Sequence, residues 1–144
     1  MKRRSVRYPT PRTVAQRVAI EVRDTLARFD GDHDLALLYF NQYRSKAELL
    51  DASKNSWRTL NVTELLELTP EQLQIATAYF DTLDRFRLWV TATEAMPATM
   101  EARYDMALGR LKTLSVVALE ALGGIPPEPP RAPVPPLWGT LDRD

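Results

Sequence analysis

The chain has 144 residues, 44% of them hydrophobic and 26% charged, which is enough for one domain with its own core. It nowhere approaches the roughly 20 apolar residues of a membrane-spanning helix, and its lack of cysteine excludes disulfides, thiolate metal sites and cysteine nucleophiles. The formal net charge of zero hides a gradient, because residues 1–28 carry eight basic side chains against Glu21 and Asp24, whereas the rest carry 11 basic and 17 acidic ones.

Residues 1–9 read as a basic arm with Lys2, Arg3, Arg4 and Arg7, suited to nonspecific contact with phosphate. The arm has no apolar core of a secretory signal, so the cytoplasm is the expected compartment. Residues 10–124 read as a helical body. The first helix is expected from Thr10 as N-cap and Pro11 at the first position. Its apolar stripe is Ala15, Val18, Ala19, Val22, Leu26 and Phe29. It should stop at Asp30-Gly31, where glycine can turn left-handed. At about 100° per residue, Arg12 and Arg23 fall on one side and Arg17 and Arg28 on the other, which argues against a DNA-recognition helix.

A second helix is expected after Asp32 or Asp34 as cap. It carries Ala36, Phe40, Tyr43, Ala47, Leu50 and Trp57 at three-four spacing. Leu35, Leu38, Tyr39 and Leu49 widen its apolar face and predict a central helix. Asn61-Val62-Thr63 breaks the pattern, and residues 63–68 read as one short turn. Thr69-Pro70-Glu71-Gln72 opens a third helix with a capping box. Its stripe is Leu73, Ala76, Phe80, Leu83 and Val90, with Tyr79 and Phe86 alongside, and Pro97 ends it. The fourth runs from about Ala98 to Leu122, with Met100, Tyr104, Ala107, Leu108, Leu111, Ala118 and Leu122 inward, and closes at Gly123-Gly124. Short connections make successive helices neighbours, so the expected fold is all-α, an antiparallel four-helix bundle. Residues 125–144 form a tail whose prolines, from Pro126 to Pro136, favour polyproline II and would span roughly 35 Å.

Few residues point to catalysis. Asp30-Gly31-Asp32-His33-Asp34 begins like an EF-hand loop, but Leu35 stands where glycine is needed and Asn41 where a bidentate glutamate is needed. A solvated turn is the expected reading. His33 is the only histidine, and no histidine-glutamate metal pair, phosphate loop or dinucleotide fingerprint is present. The chain is therefore expected to be no enzyme, with no cofactor and no metal. The acidic residues Asp81, Asp84, Glu101 and Asp105 lie at helical spacing near Arg85, Arg87 and Arg103 and read as surface ion pairs. Tyr39, Phe40, Tyr43, Trp57, Tyr79, Phe80, Phe86 and Tyr104 read as core. Leu88 and Trp89 lie off the third stripe and read as an exposed apolar contact.

In the tail, Pro126, Pro129 and Arg131 fit the Pro-x-x-Pro-x-Arg pattern of SH3 ligands, and Leu137-Trp138 at the end of a stiff spacer suggests a plug. The favoured function is a non-enzymatic assembly subunit or adaptor. It would bind a protein partner or copies of itself through Leu88, Trp89, Pro129, Arg131, Leu137 and Trp138. The alternative is a nucleic-acid-handling accessory protein that grips phosphate through Lys2, Arg3, Arg4 and Arg7. A third reading is a small helical enzyme that uses aspartate and glutamate with a divalent ion. The helix order closing on Gly123-Gly124 and prolines resembles phage small terminase subunits over the second half of the chain, without a specific motif.

If the arm meets duplex DNA, deleting residues 2–7 removes four positive charges. The slope of log affinity against log salt should then fall by up to about 3.6, at about 0.9 per phosphate contact. Titrations at several salt concentrations check this, and an unchanged slope removes the arm from the interface.

Overall fold

The computed structural model describes residues 13–123. The arm with Lys2, Arg3, Arg4 and Arg7 and the tail with Pro129, Arg131, Leu137 and Trp138 lie outside them. The described residues are all-helical. They comprise α1 (Val14–Gly31), α2 (His33–Tyr43), α3 (Ala47–Ala52), a 3-10 turn (Trp57–Thr59), α4 (Val62–Leu65), α5 (Pro70–Ala92) and α6 (Pro97–Ala121).

The start expected at Thr10-Pro11 lies outside the described residues, and Thr13 caps α1, its hydroxyl accepting the Gln16 N–H at 3.0 Å. The helix ends at Gly31, close to expectation, but Gly31 is not left-handed. Asp32 turns the chain instead. Its N–H donates to the Arg28 carbonyl at 2.8 Å, and its own carbonyl accepts the Ala36 N–H at 2.9 Å. One residue thus closes α1 and opens α2 through its backbone, and no carboxylate makes the expected side-chain cap.

The long second helix is broken. Arg44 adopts a left-handed φ of 56°, which a non-glycine residue enters only when its surroundings fix it. Here the Arg44 N–H donates to the Phe40 carbonyl at 3.0 Å and the Ser45 N–H to the Tyr39 carbonyl at 3.4 Å, and the first of these is the single bond of a left-handed cap, made without glycine. Lys46 Nζ then donates to the Thr93 carbonyl at 2.6 Å, and α3 runs back. Trp57 lies in the 3-10 turn rather than on a helix, with its ring stacked on Phe80 at 5.0 Å.

The later helices follow their caps. Thr69 and Gln72 exchange backbone-side-chain hydrogen bonds at 3.0 and 3.1 Å, with Pro70 in the first turn. Asn61 and Glu64 make a second capping box at α4. Pro97 opens α6 rather than merely ending α5. Gly123 leaves α6 with φ 85°, the left-handed stop for which glycine is suited.

Named contacts fix the helix directions. Gln72 reaches the Ala121 carbonyl at 3.1 Å while Arg103 lies over Trp89, so α5 and α6 are antiparallel. Tyr79 meets Val22 and Thr25 and Phe86 meets Phe29, so α1 runs with α5. Lys46 meets Thr93 and Asn55 meets Asp84, so α3 runs against α5.

The core is aromatic and internally hydrogen-bonded. Phe29 stacks on Tyr104 at 4.1 Å, and Phe86 packs edge-on against both at 5.2 Å. All three are buried. The Tyr104 hydroxyl donates to the Phe29 carbonyl at 2.6 Å, and burial raises its pKa well above the usual phenol range. The hydroxyls of Tyr79 and Thr25 lie 2.9 Å apart, and both lie within reach of the Val22 carbonyl. Burial pushes the Tyr79 phenol up to about 12, so the core stays neutral through the physiological range.

Two substitutions test this packing. Tyr104→Phe leaves a buried carbonyl without this donor and should cost about 1–3 kcal/mol. Gly109 lies within α6 and a Cβ there meets nothing within 4 Å, so Gly109→Ala should add about 0.5–1 kcal/mol. Urea midpoints at unchanged slope report both.

Candidate functional site

Two apolar surfaces are open to solvent. The first is the outer face of α2. This helix buries Ala36 and Phe40 and exposes Leu35 (52%), Leu38 (46%), Tyr39 (36%) and, at its end, Tyr43 (67%). Residues 35, 39 and 43 follow one another at i+4 spacing, which aligns them on one helix face, and the Tyr39 and Tyr43 rings sit 5.8 Å apart. Both tyrosines were expected in the core. They lie outside it because the helix stops at Tyr43 and nothing described folds over that side. The sequence signal was present: seven of the eleven residues of α2 are apolar or aromatic, more than a single buried stripe holds.

The second is a groove of about 380 Å³ between α5 and α6. Phe86 and Ala107 help line it, Trp89 is half-buried in it, and Met106 is 67% exposed at its edge. Arg103 lies 4.7 Å above the Trp89 ring, a cation–π contact. Arg85 binds Asp81 at 2.6 Å, and Arg110 donates to the Thr82 hydroxyl at 3.3 Å. The groove is thus an apolar floor with a basic rim.

The expected Leu88-Trp89 patch is divided. Trp89 faces α6, whereas Leu88, also exposed, faces a recess shared with Asn55, Arg58 and Asp84. Neighbouring residues on a helix point about 100° apart, so the pair cannot form one surface. Sequence reasoning did not identify Arg85, Arg103, Met106 and Arg110 as groove residues, because their convergence depends on how α5 and α6 pair.

The charged side chains are largely engaged in holding the fold. Asp81 pairs with Arg85 as its spacing suggested, but Asp84 pairs with Arg58 at 2.8 Å and Arg87 donates to the Leu50 carbonyl. Arg17 binds Glu64 at 2.8 Å, and Arg28 reaches the Lys54 carbonyl. His33 is held between Asp34 at 2.7 Å and Asp105 at 2.6 Å, with its ring edge-on to Tyr104. Both ring nitrogens are occupied, so the imidazole pins α2 to α6 and has no free nitrogen with which to take a substrate proton. Among the described residues no group of three or more histidine or acidic side chains is placed to hold a metal ion, and no helix is long and apolar enough to cross a membrane. No protein-family model, no curated protein and no solved structure matches this chain.

Partial burial lowers the His33 pKa, but the hydrogen bonds and charges of Asp34 and Asp105 outweigh it and raise the value above the ordinary histidine range. The protonated pin therefore adds stability that is fully present below the unfolded-state pKa near 6.5 and is lost as pH rises through the higher folded value. Asp105→Asn should lower the His33 pKa and flatten stability between pH 6 and 8. NMR titration of the ring and denaturation at the two pH values measure both effects.

Proposed function

We propose that this chain is a non-enzymatic helical assembly subunit or adaptor, built as an antiparallel arrangement of α1–α2, α3, α5 and α6, that associates with copies of itself through the outer face of α2. The double-sided character of α2 carries the reading. Ala36 and Phe40 already contribute to the core, so the exposed leucines and tyrosines around them gain only from a partner. Full burial of such a side chain is worth roughly 1.5–3 kcal/mol, and these are already partly covered, so each adds on the order of 1 kcal/mol. Four of them on one surface fall short of, or barely meet, an association cost of about 4–15 kcal/mol. A twofold pairing of the same face doubles the contribution, since an isologous interface uses the patch on both copies. Aromatic residues of this kind also anchor protein interfaces.

The absence of an enzymatic role is part of the proposal. It is supported by the occupied nitrogens of His33 and by the ion pairs that engage Asp81 and Asp84 of α5. The alternative of phosphate gripping by Lys2, Arg3, Arg4 and Arg7 rests on the arm sequence alone, since Arg17 and Arg28 of α1 are engaged within the fold.

Solution mass over a range of concentrations tests the reading. The wild type should rise above monomer mass, and Leu38→Asp with Tyr43→Asp should hold it at monomer mass while the circular-dichroism helix signal is retained. A wild type that stays monomeric at high concentration, or a double variant that associates as strongly as wild type, would overturn it.

A further inference from the structure

We propose that the groove between α5 and α6 is the docking site of this chain's own residues 125–144, with the proline run laid along it and Leu137-Trp138 seated against Phe86, Trp89 and Met106. This inference rests on the α5–α6 groove and is independent of the α2 face.

The first argument is where the chain leaves the described body. It does so at Gly123, at the end of the helix that forms one wall of the groove, and the left-handed φ of 85° there turns the backbone away from the helix axis. The second is length. From Gly123 back to Arg103 is about 30 Å along α6 at 1.5 Å per residue. Residues 126–136, seven of them proline, cover about 34 Å at 3.1 Å per residue. A shorter tail would not bring Leu137 and Trp138 to the far end, and the residues before and after the proline run supply the slack for the reversal. The third is chemistry. Extended proline segments dock on aromatic-lined grooves because little backbone entropy is left to lose. This groove offers Phe86 and Trp89, with Met106 as an adaptable neighbour.

The groove also offers charge to an occupant. Among the described residues neither Arg103 nor Arg110 pairs with a carboxylate. Asp142 and Asp144, with Arg143 between them, follow Trp138 and would come to the end of the groove that holds Arg103.

Because the chain has no cysteine, paired cysteines can read the contact in the full-length protein. Met106→Cys with Gly139→Cys keeps Leu137 and Trp138 and places one thiol at the groove. Leu88→Cys with Gly139→Cys places it at similar height on the other side of α5. Under mild oxidation the first pair should close within one chain at least about ten times faster than the second, because docking raises the effective thiol concentration above the mM level of a free tether. Adding Arg103→Glu and Arg110→Glu, both at exposed positions, should slow the first pair to the rate of the second. Equal rates for the two pairs, disulfides formed only between chains, or closure of the first pair unaffected by the charge reversals would each overturn the assignment.

Discussion

The hydrogen bond from the Tyr104 hydroxyl to the Phe29 carbonyl, inside the Phe29-Phe86-Tyr104 cluster, ties together the three long helices. A buried carbonyl near the end of a helix needs a donor, and Tyr104 delivers one from α6 while its ring stacks on the residue that owns the carbonyl. Geometry at that point is therefore set by both packing and polarity. Phe86 brings α5 to the same place. One turn of each long helix is thus held in a fixed register, and the elements that follow inherit it.

The consequences run outward along the chain. With the last turn of α1 anchored, Asp32 starts α2 beside α6, and the contact of His33 with Asp105 holds it there. Ala36 and Phe40 are then buried, and Leu35, Leu38, Tyr39 and Tyr43 stay exposed. The left-handed turn at Arg44 sends α3 back along α5, where the Leu50 carbonyl and Ser53 hydroxyl meet Arg87. Because α3 returns along α5, it does not cover the outer side of α2. The same break that shortens the second helix therefore creates its exposed face.

The groove has a different origin. Antiparallel pairing of α5 and α6 places Ala78 and Ala107 among its lining residues, and small side chains there leave a depression between larger neighbours. Trp89 is wide enough to contact the core while presenting an edge to solvent, and Arg103 covers its ring. The two surfaces lie on different helices, so one copy of the chain can present both at once.

Several features were legible in the amino-acid order because they are local. The Thr69-Pro70-Gln72 start of α5, its buried stripe from Ala76 to Val90, the Pro97 boundary and the Gly123 stop all follow from interactions within four residues. The all-helical character followed from the same periodicity. What the sequence could not decide was long-range. The pattern from Ala36 to Trp57 continues at helical spacing, yet the helix ends at Tyr43, because carbonyls of its own last turn and Thr93 from a distant segment fix Arg44 and Lys46. Tyr39 and Tyr43 share the spacing of core aromatics, and only the course of α3 leaves them outside. Leu88 and Trp89 are neighbours in sequence and are separated because α6 packs against one side of α5 only. Local order specified where helices start and stop through caps and periodicity, whereas tertiary packing decided which of their faces met another helix, since that depends on residues 47 to 75 positions away in the chain.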